Sequence, residues 1–267
     1  NRLEETGGVL DKRKYTEYSR VVLALTAVGY DVTNVAGYNL LEPLADYDQV
    51  VWQGINGPIW ALLAFDSHDY VIPSAPAGSK TQTTRSRLID TILNAELAGG
   101  GWSLYGGADT DITAMALQAL APYYTSDVKV KAAVDRALVC LSSMQNEEGG
   151  FGSWGSMNSE SCAQVLVALT SLNINPETDS RFVKNGNTVL DALCSFAVED
   201  GGFKHTATGE RNGMATEQGY YALTAYHRYR QGATPLYDMS DISIDAPYQA
   251  VIRLIDAIGT VSLSSAD

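Results

Sequence analysis

Asp109 and Asp111 flank Thr110, and two further acids, Glu160 and Glu217, stand at matching places later in the chain. Paired carboxylates are the groups that general acid–base chemistry draws on, provided their surroundings push their pKa values apart. A carboxylic acid that donates a proton must be kept protonated by burial or by a like charge beside it. Carboxylates that cleave a glycosidic bond stand ~5–9.5 Å apart. Asp111 and Asp109 are therefore the candidate catalytic residues. A simpler account covers most of these acids. Thr16-Glu17, Thr110-Asp111, Ser159-Glu160 and Thr216-Glu217 each place a hydroxyl before an acid. The hydroxyl is expected to cap a helix, worth ~1 kcal/mol. The acid then faces the positive end of the helix dipole, worth ~0.3–1 kcal/mol. Only the Asp109/Asp111 pair exceeds what capping requires.

The other reactive side chains form no metal set. His68, His205 and His227 are single and lack ligand spacing, and Cys140, Cys162 and Cys194 show no CxxC pairing. The cysteines read as small buried hydrophobes, and no cofactor or metal is expected. Candidate ligand contacts are aromatic and polar: Trp60, Trp102, Tyr105, Trp154, Glu160, His205, Arg211, Glu217 and Tyr220. Trp154 lies between glycines, where an exposed ring makes a stacking platform. Lys204-His205 and Glu210 to Gly213 lengthen one loop with polar groups suited to ligand contact.

The elements that must position these residues come from an internal repeat. Gly100-Gly101-Trp102, Gly149-Gly150-Phe151 and Gly201-Gly202-Phe203 each precede one of the acids. From the acids the chain runs on as DITAMALQAL, ESCAQVLVAL and EQGYYALTAY, with Leu117, Leu166 and Leu223 at a shared position. EYSRVVLALT from Glu17 and NGPIWALLAF from Asn56 extend the frame to five copies. Second helices are predicted over 39–53, 84–97, 128–145 and 182–198, with a last candidate over 247–258. In the third, Val130, Val134, Ala137, Leu138 and Leu141 form an apolar stripe while Lys129, Lys131, Asp135 and Arg136 face away. From Ile112 to Tyr124, and from Ser161 to Asn173, no residue is charged. A helix apolar on every side is buried on every side. Alternating buried and half-wet helices predict two concentric layers, an all-α (α/α)5-6 toroid.

Composition narrows the partners. A formal net charge of −13 opposes a phosphate backbone and an anionic lipid surface. No apolar run reaches the ~18 residues of a membrane span. A chain of 267 residues can bury roughly 75% of its unfolded surface without disulfide or metal. The stretch from Ile72 to Thr84, with Pro73, Pro76 and Gly78, is too short for a domain linker, so 1–267 is read as one domain. The chain begins at Asn1 without a signal-like segment, and is expected to be excised from a larger chain.

These residues carry a family resemblance. Gln145 to Phe151, QNEEGGF, resembles the Q-x3-G-x-W repeat of squalene cyclases and the GGF repeat of protein prenyltransferase β subunits. The likeness spans about residues 16 to 231 as a repeat pattern and implies a toroid with a central cavity lined by inner-helix starts. Asp109 to Thr113, DTDIT, resembles the D-x-D-D-T motif of class II terpene cyclases, which implies Asp111 as proton donor; Ile112 replaces the last Asp. Glu160-Ser161-Cys162 resembles part of the prenyltransferase zinc set, but Ala215-Thr216-Glu217 stands where its histidine belongs. The thioester domains on this barrel need a GCGEQ segment, which is absent. The cobalamin carriers use the same barrel as a binding module, and similar repeat domains occur in surface proteins of Gram-positive bacteria.

Three functions follow as expectations. The first is an extracellular or cell-surface bacterial module that binds without catalysis. It would hold a small molecule, peptide or glycan, a corrinoid among them, in its cavity or a partner on its rim. The second is a diverged class II terpene cyclase using Asp111. The third is an (α/α)6 carbohydrate-active enzyme using paired carboxylates. Neither nucleic acid nor membrane insertion is expected.

Overall fold

The computed structural model describes residues 2–153 and 155–244. The candidate helix over 247–258 lies outside the described residues, as does Trp154. The described chain is all-α; its one sheet pairs β1 (Gly152–Ser153) with β2 (Ser156–Met157).

After the short α1 (Arg2–Glu5), the five repeat copies form the helices α2 (Thr16–Ala27), α4 (Asn56–Asp66), α6 (Thr110–Leu120), α8 (Ser159–Ser171) and α10 (Gly213–Arg230). Each packs on the next in chain order, α2 on α4, α4 on α6, α6 on α8 and α8 on α10. Burial follows the absence of charge. Every residue of α8 from Ser159 to Thr170 is buried. Leu62, Leu117 and Leu166 are fully buried, each contributing ~1.5–3 kcal/mol of apolar transfer.

The second helices back this row. α5 (Arg85–Asn94) packs on α4, α7 (Val128–Met144) on α6, and α9 (Val189–Cys194) on α8. α7 buries its predicted stripe, Val130, Val134, Ala137, Leu138 and Leu141, and leaves Lys131 exposed. Two second helices are shorter than expected, each for a local reason. Over 39–53 the chain makes a 3-10 turn at Pro43–Ala45, α3 (Tyr47–Val50) and another 3-10 turn at Val51–Gln53. Asp46 is extended there and caps α3 through Gln49 N–H, which breaks the helix into pieces. Over 182–198, Asn185 and Gly186 both take positive φ, and Lys184 pairs with Asn187. An Asn-Gly pair in left-handed backbone makes a tight reversal. Helix therefore starts only at Val189, behind a Thr188–Asp191 capping box.

The segment after α10 returns across the row. Met239 N–H donates to the Ser67 carbonyl (2.7 Å), and His68 Nε2 lies 3.0 Å from the Ile242 carbonyl. Thus the chain's later part covers the C-terminal end of α4. Among the described residues, no helix is long and apolar enough to cross a membrane.

Candidate functional site

Each Gly-Gly-aromatic turn is built by the same bonds. Gly100 N–H donates to Leu97 O and Leu97 N–H to Gly101 O; Gly149 with Asn146, and Gly201 with Val198, repeat the pattern. Gly149 has φ +78°, and a Cβ there would lie 2.6 Å from the Thr188 carbonyl oxygen. Only glycine fits both demands. The following aromatics are core. Trp102, Phe151 and Phe203 are buried, and the Trp102 indole N–H donates to Ile92 O at 2.7 Å. Trp102 was expected among the ligand contacts; full burial with its one polar atom satisfied makes it a packing residue instead.

A side chain on the next helix clamps each aromatic's backbone. Thr113 accepts from Trp102 N–H (2.9 Å), Cys162 from Phe151 N–H (3.3 Å) and Thr216 from Phe203 N–H (3.0 Å). Burial pushes the Cys162 thiol up to about 12, so it is a hydrogen-bonding hydrophobe rather than a nucleophile. The same reading of the other cysteines needs correcting, since Cys140 is only half-buried and Cys194 is exposed.

The helix caps also differ from expectation. The capping side chains are Asp109, Asn158 and Asn212, which accept from the N–H groups of Ile112, Ser161 and Ala215. The hydroxyl residues Thr110 and Ser159 are the first helical residues, and Thr216 lies within the first turn of α10. Two consequences follow. Asp109, which seemed to exceed capping, is itself the cap. In addition, the caps place Met214, not Glu217, level with Asp111 and Glu160; Glu217 is three positions further along α10, nearly one turn. Leu223 is accordingly displaced, and Tyr220 takes the level of Leu117 and Leu166, half-exposed and edge-on to Phe203.

Asp111 and Glu160 meet above the starts of α6 and α8. Ser153, on the β1–β2 hairpin, places its hydroxyl 3.2 Å from Asp111 Oδ2 and 3.3 Å from Asp109 Oδ2. Its single proton serves one carboxylate at a time. Burial raises the Asp111 pKa, Asp109 and Glu160 add to the rise, and hydrogen bonds from Ser161 and Ser153 oppose it. Asp111 Oδ1 has no partner within the described protein. Glu160 is buried and bound twice, by Ser159 Oγ at 3.0 Å and by His205 Nδ1 at 2.8 Å. Ser159 N–H donates to the His205 carbonyl (3.1 Å). The long polar loop is thereby tied down onto α8. Its Arg211 donates to the Gly201 carbonyl and pairs with Asp200 at 3.4 Å. Tyr105 is exposed, and Trp60, partly buried, packs edge-on against the partly buried Tyr237.

Below the acids the inner helices share a polar seam that sequence reasoning missed. Gln118 Nε2 donates to both the backbone carbonyl and Oε1 of Gln164, each at 3.0 Å. Gln164 Nε2 donates to Gln218 Oε1 and to the Tyr221 hydroxyl, which itself donates to Gln218 Oε1. Burial pushes the Tyr221 phenol well up, helped by the neighbouring Tyr237, Asp111, Glu217 and Glu160. The signal was present: Gln118 and Gln164 are amides in otherwise apolar, uncharged helices.

The seam leads to a cavity of about 620 Å³ at the opposite end from the acids. Leu63, Asp66, Gln118, Ala119, Tyr123 and Tyr237 are on its wall, so inner-helix ends line it rather than the expected starts. Asp66 accepts from Arg85 Nε (2.7 Å) and from the Tyr123 hydroxyl (2.7 Å). Burial raises the Asp66 pKa, against the pull of those two donors. Arg85 also donates to the carbonyls of Phe65 and Tyr70, which fixes that edge of the cavity. Among the described residues, no cluster of three His, Cys, Asp or Glu is arranged to hold a metal.

Compared with known proteins, the sequence matches no family model and no curated protein.

Proposed function

We propose that this chain is a binding module that seats a small organic ligand in the cavity at the C-terminal ends of α4, α6 and α8, without transforming it. The carrying observation is the cavity: its volume of about 620 Å³ falls in the ~300–1,000 Å³ range of small-molecule sites. Apolar walls and a few fixed polar groups give it the usual make-up of such a site. At the other end, Asp109 is occupied as a cap and Glu160 by two hydrogen bonds. The continuous inner row, the outer helices behind it and the return of residues 233–244 across α4 support closure into an α/α toroid. The likeness of the repeat to bacterial surface-protein domains extends the proposal to an extracellular, cell-surface setting.

The test is a ligand screen followed by methyl and aromatic NMR of the whole chain. Hits are expected to shift Leu63, Ala119 and Tyr123. Hits that shift only Ser153 and its surroundings would move the site to the acidic end.

One observation favours a second reading, a diverged cyclase with Asp111 as acid: its carboxyl is held above the ordinary range and one oxygen is unpartnered. Incubation with squalene, geranylgeranyl diphosphate and polysaccharides decides between them. Turnover abolished by Asp111→Asn would sink the binding-only proposal.

A further inference from the structure

We infer that the cavity at the helix ends takes an organic cation, an ammonium group carried on an apolar or aromatic frame; this rests on the binding-module reading above. The donors and acceptors of the wall decide the sign. Gln118 is 2% exposed. Its amide nitrogen is identified by its partners, because the Gln164 backbone carbonyl can only accept. The Gln118 carbonyl oxygen is therefore the free end, and it is buried with no partner within the described protein. A buried acceptor left unpaired is costly, and Gln118 is on the cavity wall, so a ligand that donates to it relieves that cost.

Most of the strong donors on the wall are already engaged, leaving Arg85 Nη1 and the Tyr237 hydroxyl without a hydrogen bond among the described residues. The Tyr123 hydroxyl donates to Asp66, and Arg85 gives Nε to Asp66 and one terminal nitrogen to two backbone carbonyls. The Arg85 charge is matched by Asp66 at 2.7 Å. Asp69 and Asp238 remain on the wall as carboxylates beyond that pair. The Asp69 side chain is fully exposed, with Arg85 at the long distance of 3.5 Å. One oxygen of Asp238 accepts from Ser240. The cavity thus carries net negative charge beyond its one ion pair and an unpaired buried acceptor, and favours a ligand with N–H donors and positive charge. Tyr123 and Tyr237 supply rings, whose faces attract cations. The net charge of −13 over the chain acts in the same direction by drawing cations to the surface.

The experiment uses three matched probes, 2-phenylethylammonium, 2-phenylethanol and 3-phenylpropanoate, titrated into the whole chain and followed by NMR shifts at the cavity. The ammonium is expected to bind about tenfold or more tightly than the carboxylate, a gap that narrows as salt is raised. Asp69→Asn with Asp238→Asn, both on exposed or half-exposed side chains, should cut ammonium binding severalfold and leave the alcohol unchanged. Gln118→Leu, which removes the free acceptor, should weaken ammonium binding severalfold, and circular dichroism of each variant reports whether the fold is kept. If the alcohol or the carboxylate binds in the cavity as tightly as the ammonium, the cation assignment is overturned and the binding-module reading stands. If none of the three shifts a cavity residue, both are overturned.

Discussion

The two ends of the inner helices differ in what their polar groups are free to do. At the N-terminal end the acids are numerous, but local structure occupies them: Asp109 caps α6, and Glu160 holds Ser159 and His205. At the C-terminal end Asp66, Arg85 and Tyr123 form a fixed edge around a cavity of about 620 Å³, with Asp69 and Asp238 on the same wall. The contrast follows from helix polarity. An N-terminus exposes N–H groups that recruit acids and amides whatever the function. An acid in the last turn of a helix is opposed by the dipole, so Asp66, the last residue of α4, needs partners of its own. Acids gathered at helix starts here therefore mark capping and local bonds, while the pocket lies at the opposite helix ends.

Substitutions at the two ends can break or sharpen this contrast. The largest effect is expected from Trp102→Ala, which empties a fully buried site at the acidic end and removes the indole donor to the Ile92 carbonyl. It should cost ~3–5 kcal/mol in urea unfolding; a cost below ~1 kcal/mol would show that the aromatic turn is not a core element. Next comes Arg85→Met at the cavity end, which leaves Asp66 buried beside only Tyr123. The side chains are partly exposed, so about 2 kcal/mol is expected, below the ~3–5 kcal/mol of a fully buried broken pair. An unchanged midpoint would mean that the edge of the cavity is not fixed by this pair.

Asp109→Ala removes a cap and should cost about 1 kcal/mol. Asp111→Asn, two residues on, should cost nothing and raise the melting temperature at pH 7. The folded-state pKa of Asp111 is raised, so as pH climbs above the ordinary aspartate range the unfolded chain ionises first. Ionisation then favours unfolding, and stability falls until the folded carboxyl ionises as well. The advantage of Asp111→Asn is accordingly expected to be full at neutral pH and to vanish below the ordinary aspartate pKa. Equal losses for the two substitutions would mean that both acids cap, and the division between them would be gone.

Much of the architecture was legible in one sequence. The uncharged helices announced their burial, and the Gly-Gly-aromatic turns marked where each begins. The helix caps were misread because Ser and Thr are good caps in isolation, while Asp109 and Asn158 sit one position earlier and Asn212 four. The fifth copy was aligned on Glu217 because an acid-to-leucine spacing repeats there. Of the five extra residues before Glu217 the loop takes two and α10 the other three, and the bond from Asn212 N–H to the Phe203 carbonyl reveals the true level. The cavity was not legible, since Asp66, Arg85, Gln118 and Tyr237 come from four distant segments.

The sequence by itself determined which helices are interior, because a run without charge has no face that tolerates water. It also determined the turns, because left-handed backbone beside another chain admits only glycine. Which acids are free, and where the open space lies, was decided by tertiary structure alone. Capping depends on a residue's place to within one position, and a cavity is what remains after helices of unequal length and bulk have packed.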